Sequence, residues 1–207
     1  MSARFSLSTT WVLASHNEDK YLELSALLAP YGVTVRSQSS LAISPTKEPF
    51  PSFVENALAK ARYAAKHSGL PAIADDSGIC AVALNGQPDI HSARFAAKDD
   101  KERPSAADNN RKLNQLLLKE QDKRVFYYCC LVWVRDEHDP TPIIAEGRWD
   151  GQWQIQAQGC NGFGYDPHFF LPEKHTTVAS LTIQEKNRFS HRARAFSSLL
   201  EKISQCQ

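Results

Sequence analysis

No stretch of this 207-residue chain approaches the roughly 18 consecutive apolar residues of a membrane-spanning helix. A bilayer-embedded protein is not expected. The segment 1–10 lacks the charged-then-apolar layout of a secretory signal, so the expectation is a cytoplasmic protein with a short N-terminal extension (1–10) and a single domain over 11–205, a length suited to one sizeable domain. Charge of one sign is missing too. With 24 basic against 23 acidic residues and a net charge of +1, no global field draws the chain to nucleic acid or to an anionic membrane. The five cysteines show no C-x-x-C spacing, so a zinc site has no support. Cys129 and Cys130 are adjacent in a strand-like run, where their side chains diverge and cannot easily bond each other. Free thiols in a reducing compartment fit this usage. Internal repeats, low-complexity segments and the Walker glycines are also absent.

What is present reads as alternating strands and helices. Trp11–Ala14 is a short apolar run, followed by polar Ser15-His16-Asn17 and then by Leu22, Leu24, Leu27 and Leu28 up to Pro30 and Gly32, which predicts strand, loop, helix. Ser52 and Glu55 have capping-box spacing ahead of an alanine-rich face that stops at Gly69. A strand is expected from Pro71 to Asp75, another over Ile79–Leu84, and a turn at Asn85-Gly86. A charged loop over Lys98–Ser105 precedes a helix from about Ala106 with Leu113, Leu116 and Leu117 on its apolar face. Arg124–Arg135 is nearly all apolar and aromatic, as in a central strand covered on both faces. Pro142–Trp149 reads as its antiparallel return and His168–Leu171 as a short further strand. The tail from Ser190 carries Ala193, Phe196, Leu199, Leu200 and Ile203 at helical spacing.

Four clusters carry candidate chemistry. In Ala72–Gly78 two acids, a hydroxyl and a glycine follow an apolar run, which is where a strand would give way to a turn. Such acids can hold a cation or a water, although Asp-Asp-Ser-Gly is also ordinary turn chemistry. Glu48 adds a third acid. Adjacent side chains in an extended segment diverge, so Asp76 is expected to face a metal and Asp75 to act from an outer position. Lys60 could add positive charge for a polyphosphate, while its place on the exposed side of its helix favours a solvated lysine from pattern alone.

The loop Ser15-His16-Asn17-Glu18-Asp19-Lys20 lies between a strand and a helix start, a position suited to phosphate oxygens or merely to a capped surface helix. Gly162-Phe163-Gly164-Tyr165-Asp166 is a plain turn or a platform on which a flat ring stacks. Lys186, His191 and Arg192 form a dense cluster of donors around a helix start. They are either solvated or aimed at ring carbonyls, where adenine's amino group would be refused.

With these blocks in this order, the chain resembles the inosine triphosphate pyrophosphatase family, from about Trp11 to Ile203. The likeness is carried by Asn17 and Lys20, by Glu48 before F-x-E-N-A at Phe53–Ala57, and by Lys60 and A-D-D-S-G with Asp75, Asp76 and Ser77. S-A-R at Ser92–Arg94, G-F-G-Y-D at Gly162–Asp166, Lys186, and S-H-R at Ser190–Arg192 complete it.

The resemblance implies an α/β fold with an elongated central mixed sheet flanked by helices, in two lobes with the nucleotide in the cleft between them. It implies hydrolysis of ITP, dITP and XTP to monophosphate and pyrophosphate, Mg²⁺ as cofactor, and a homodimer. Glu48 and Asp76 would bind the metal, with Asp76 also accepting a proton and Asp75 and Lys20 supporting catalysis. Ser15–Lys20, Lys60 and Ser77 would hold phosphates, and Phe163–Asp166, Lys186, His191 and Arg192 the base. Three residues depart from the family pattern: His16 and Asp89, where glycine is common, and His91, where tyrosine is common. Two rivals are an aspartyl phosphatase, which needs aspartates one residue apart and is disfavoured by the contiguous Asp75-Asp76, and a purine nucleotide sensor, which needs no three acids.

Overall fold

The computed structural model describes residues 10–99 and 102–205. The expected N-terminal extension, apart from Thr10, and Cys206 lie outside these. Seven strands form one sheet in the order β2-β1-β3-β4-β5-β6-β7. They are β1 (Thr10–Leu13), β2 (Thr34–Ser37), β3 (Ala72–Ala81), β4 (Arg124–Val134), β5 (Ile143–Trp153), β6 (Phe169–Leu171) and β7 (Thr176–Thr177). The helices are α1 (Glu18–Leu28), α2 (Phe53–Ser68), α3 (Ala106–Leu117), α4 (Ile183–Lys186) and α5 (His191–Gln205). The sheet is mixed: β1 pairs in parallel with β2 and β3, whereas β6 is antiparallel to β5 and β7. The expected α/β class is therefore observed.

The chain divides into two compact units. The first runs up to Asp76 and adds Cys129–Gly147 and the chain from Arg192 onward. Its core joins Trp11, Leu13, Ile73, Leu131 and Trp133 of the sheet to Leu24 and Leu28 of α1 and to Phe196, Leu199 and Ile203 of α5. The second comprises Ser77–Tyr128 and Arg148–His191, with a core of Ile79, Leu113, Leu117, Tyr127, Trp149, Trp153, Tyr165 and Phe169.

Local chemistry explains the helix starts. Asn17 caps α1 by accepting from the Lys20 amide, and Ser52 caps α2 by accepting from the Glu55 amide. Ala57, Ala61, Ala64 and Ala65 form the buried face of α2, the small-residue stripe read from the sequence. Leu116, expected on the buried side of α3 with Leu113 and Leu117, is instead exposed.

The strand readings need two corrections. Asp75-Asp76-Ser77-Gly78 does not end a strand, because β3 runs through it to Ala81, and Val82–Leu84 is a 3₁₀ turn and not strand. The turn propensity of Asp and Ser is overridden because both carboxylates find cationic partners at strand positions. Gly78 serves a close backbone approach, since a Cβ there would lie 2.2 Å from the Asp89 carbonyl oxygen. In β4, both faces are covered from Cys129 onward, but Phe126 and Tyr128 in its first half are only half-buried. The Phe126 ring lies 3.7 Å beneath the Arg148 guanidinium, so it is covered by a side chain at the surface.

Candidate active site

Alternation along β3 sends its two aspartates to different partners. Asp75 is fully buried, with Lys20 Nζ 2.6 Å from Oδ1 and Arg192 Nε 2.7 Å from Oδ2. The Cys129 thiol donates to the same Oδ2 at 3.3 Å. Burial alone would raise the Asp75 carboxyl, but Arg192 and then Lys20 outweigh it and hold it well below the ordinary carboxylate range. Arg192 also donates through Nη1 to the buried Glu23.

Asp76 meets a different cation. Lys60 Nζ lies 2.7 Å from Asp76 Oδ1 and 2.7 Å from Glu48 Oε1, and donates to the Asp75 carbonyl at 3.0 Å. Burial pushes the Asp76 carboxyl above its ordinary value against the pull of Lys60. The Lys60 ammonium is lowered by burial but raised further by Asp76 and Glu48, for a net upward shift. Two neighbouring carboxyls are thus driven apart, one locked as an anion and one inclined to take up a proton, the pattern by which paired acids acquire separate roles.

The donor set suits a hard cation. Among the described residues, Asp76 Oδ2 is buried and accepts no hydrogen bond, and the ammonium between Asp76 and Glu48 marks where positive charge is wanted. No group of three or more His, Cys, Asp or Glu gathers among the described residues. Asp75 turns to Lys20 and Arg192, so Glu48 and Asp76 are the carboxylates that would be offered to a metal such as Mg²⁺, which takes one or two protein carboxylates plus substrate oxygens. Lys60 is a correction to the sequence reading. Its side chain is only 11% exposed, because the two acids give the ammonium partners that solvent would otherwise supply.

In the opening loop, Ser15 Oγ accepts from the Asn17 amide at 3.1 Å and Asn17 Oδ1 from the Lys20 amide at 3.0 Å. The cap thereby turns the chain so that Lys20, one turn into α1, points at β3. His16 lies 2.6 Å through Nδ1 from the buried Gln38 amide nitrogen, so this departure from glycine is anchored. Glu18 and Asp19 are exposed on the first turn, and Ser77 follows Asp76 along β3, half-buried.

In the second unit the Phe163–Asp166 loop is organised around a buried carboxylate. Asp166 accepts from Lys186 Nζ at 2.7 Å, the Phe163 amide at 3.0 Å and the Tyr127 hydroxyl at 2.9 Å. The same ammonium sits 4.6 Å from the Phe163 ring centroid, and the Gly164 carbonyl accepts from Asn110. Phe163 and Gly164 are half-buried.

Tyr165 is a correction: it is buried, and its hydroxyl donates to the Ser92 carbonyl at 2.7 Å, so it fastens the loop and offers no face to a ligand. His191 is likewise buried, stacked on Tyr127 with centroids 4.6 Å apart. Arg192, expected with the base-holding group, is instead committed to Asp75 and Glu23 and is 1% exposed. Its charge is shared between two buried acids, Glu23 and the Asp75 carboxylate that Lys20 also holds. Of the predicted base-holding residues, the structure brings together Phe163, Gly164, Asp166 and Lys186.

Gly162 has a φ of +70°, and a Cβ there would lie 2.2 Å from Asp166 Oδ2. Asp166 cannot withdraw without breaking its bonds to Lys186 and Phe163. Gly162→Ala is therefore expected to cost at least the left-handed backbone penalty of about 1–2 kcal/mol. Thermal unfolding would show a fall of a few degrees, and an unchanged midpoint would mean the loop has another conformation open to it.

Sequence reasoning missed Glu23, Tyr127 and Asn110, and it named Ser92 only as part of the S-A-R triplet, without a role. Glu23 carried a signal: an acid three residues after Lys20, next to the core residue Leu24 on an otherwise amphipathic helix. Tyr127 lay hidden within an apolar strand.

The sequence model of the Ham1 family matches residues 11–202. Among similar proteins, a dITP/XTP pyrophosphatase of Neisseria meningitidis serogroup B is 56% identical over 193 residues, 93% of this chain and 96% of the relative. A dITP/XTP pyrophosphatase of Nitrosomonas europaea is 50% identical, covering 94% of both chains. Among solved structures, a HAM1 protein from Coxiella burnetii superposes with a TM-score of 0.82 at 38% identity, over 95% of this chain and 97% of that one. The Staphylococcus aureus Ham1 protein gives a TM-score of 0.81 at 31% identity, over 96% and 100%.

Proposed function

The chain belongs to the Ham1 family, and from that premise we propose that it hydrolyses non-canonical purine nucleoside triphosphates, ITP, dITP and XTP, to the monophosphate and pyrophosphate. Such a reaction keeps these nucleotides out of DNA and RNA. We assign it Mg²⁺ as cofactor, a homodimeric state and a cytoplasmic location. No described helix is long and apolar enough to cross a membrane, which is compatible with that location.

The observation that carries the reading is the Glu48–Lys60–Asp76 arrangement with the unbonded Asp76 Oδ2. Glu48 and Asp76 would hold the metal, which supplies charge neutralisation on the phosphate oxygens. Asp76, whose carboxyl is already raised by burial, orients the attacking water and takes its proton. Asp75, locked as an anion, sets the position of Lys20. Lys20, Lys60, Ser77 and the Ser15–Asp19 loop receive the phosphates. These are chiefly effects of placement and electrostatics.

The purine is assigned to Phe163 and Lys186. Phe163 provides the stacking face and the Lys186 ammonium above it a donor toward a ring carbonyl. Inosine and xanthine present an acceptor at that position, whereas adenine presents a donor. A donor that meets adenine's amino group in place of a carbonyl forfeits that bond, and each such mismatch costs roughly 1–3 kcal/mol, which disfavours ATP. His191 contributes by backing Tyr127, which in turn holds Asp166.

Incubation with dITP or ITP and Mg²⁺, with separate detection of pyrophosphate and orthophosphate, tests the assignment. The expected products are pyrophosphate and the nucleoside monophosphate. Release of orthophosphate alone would indicate a phosphatase, and binding without turnover a nucleotide sensor.

A further inference from the structure

Glu23 is an acid buried to 3% exposure within the core of the first unit, with no assigned part in the reaction above. Its Oε2 accepts from Arg192 Nη1. Arg192 Nε lies 2.7 Å from Asp75 Oδ2, and Asp75 Oδ1 lies 2.6 Å from Lys20 Nζ. Glu23 and Lys20 are three residues apart on α1, on adjoining positions of the helix surface. The four charges therefore alternate in sign around a ring that starts on α1, passes through β3 and α5, and returns to α1 one turn from where it began.

We propose that Glu23 is a positioning residue that acts through Arg192 and Asp75 to fix the Lys20 ammonium for a substrate phosphate. The inference rests on the triphosphate reading above. Two features carry it. The Arg192 guanidinium is planar, and donation to Asp75 and Glu23 along two different N–H directions constrains its orientation, a constraint that loss of the Glu23 carboxylate relaxes. Its orientation in turn fixes the Asp75 carboxylate, whose other oxygen holds Lys20. Charge works in the same direction. With Glu23 anionic, Arg192 is shared between two carboxylates, and Asp75 keeps negative charge with which to hold Lys20. With Glu23 neutral, Arg192 compensates Asp75 more fully and the hold on Lys20 slackens.

The test is a cycle of Glu23→Gln, Lys20→Met and the double variant, with kcat and KM for dITP read from pyrophosphate release in Mg²⁺. Glu23→Gln keeps the shape of the side chain and is expected to raise KM by about fivefold or more. In the Lys20→Met background the same change is expected to leave KM within about twofold, because the group it positions is gone. Lost folded protein lowers apparent kcat and leaves KM alone, so a purely structural role predicts a different result. An unchanged KM in Glu23→Gln, or losses in KM that multiply in the double variant, would overturn the proposal. Should Glu23→Gln not yield folded protein, Glu23→Asp, which draws the charge back by one methylene, carries the same comparisons. A wild-type protein that releases no pyrophosphate sinks the triphosphate reading, and the positioning role with it. An active wild type with indifferent Glu23 variants sinks the positioning role alone.

Discussion

Asp76→Asn is expected to lower kcat for dITP by about 10²–10⁴-fold, the range for removal of a positioned general base, with the fold intact. Asparagine has the same shape, and its amide oxygen can still accept from Lys60, which lies 2.7 Å from Asp76 Oδ1. What disappears is the anionic Oδ2, which is buried and accepts no hydrogen bond among the described residues. Stability should not fall with activity. A carboxyl raised by burial is one whose charged form the folded state disfavours. A neutral amide removes that penalty, so the variant is expected to unfold at or above the wild-type midpoint. Functional residues held in unfavourable surroundings commonly give such a trade of stability for activity. Steady-state kinetics beside thermal unfolding decide the matter. Near-normal turnover would remove Asp76 from the mechanism, and a large loss of stability would contradict the account of its burial.

What was readable in the sequence follows from the range over which each feature is determined. The start of α2 depends on Ser52 and Glu55, three residues apart, and was legible. So was the divergence of Asp75 and Asp76, since alternation is a property of any extended segment. β2 is four residues of Thr-Val-Arg-Ser with one buried side chain. It exists because β1 offers it a parallel partner, and four residues carry too little pattern to announce it. β7, two residues long, announces nothing at all. Asp89, noted as standing where glycine is common, adopts a φ of +46°, a left-handed conformation that Asp tolerates better than most residues. The unusual residue was visible, and the geometry that makes it unusual was not.

The site was legible as a set of residue types and illegible as a set of pairings. Arg192 meets Asp75 across 117 positions and Glu23 across 169. Only the packing of α5 beside α1 and β3 brings them together, and nothing near Arg192 in the chain distinguishes a buried guanidinium from a solvated one. The same holds for Lys60, whose helix position reads as exposed until Glu48 and Asp76 are seen to close over it. Chemistry could thus be assigned to the chain before geometry could be assigned to the chemistry.

The second large effect concerns that buried ring of charge. Arg192→Ala is expected to destabilise the protein by about 3–5 kcal/mol, the usual result of removing one partner from a buried ion pair. At this chain length that corresponds to a fall in melting temperature on the order of 10 °C. The size comes from what stays behind: Asp75, fully buried, keeps Lys20 but loses its strongest compensating charge, and Glu23, 3% exposed, loses the guanidinium from which it accepts.

The pH dependence separates this cause from a packing defect. In the wild type the Asp75 carboxyl lies well below 3.8, so its stabilisation is complete above that value and is lost as pH falls through its folded value. In the variant Arg192 no longer opposes burial, so the same carboxyl is expected to rise, and acidification should then relieve the variant. The difference between the two proteins should be largest near neutrality and shrink toward pH 4. Urea unfolding across that interval would show it. A deficit that is equal at every pH would mean that lost packing around the Arg192 side chain, and not uncompensated charge, is what the variant suffers.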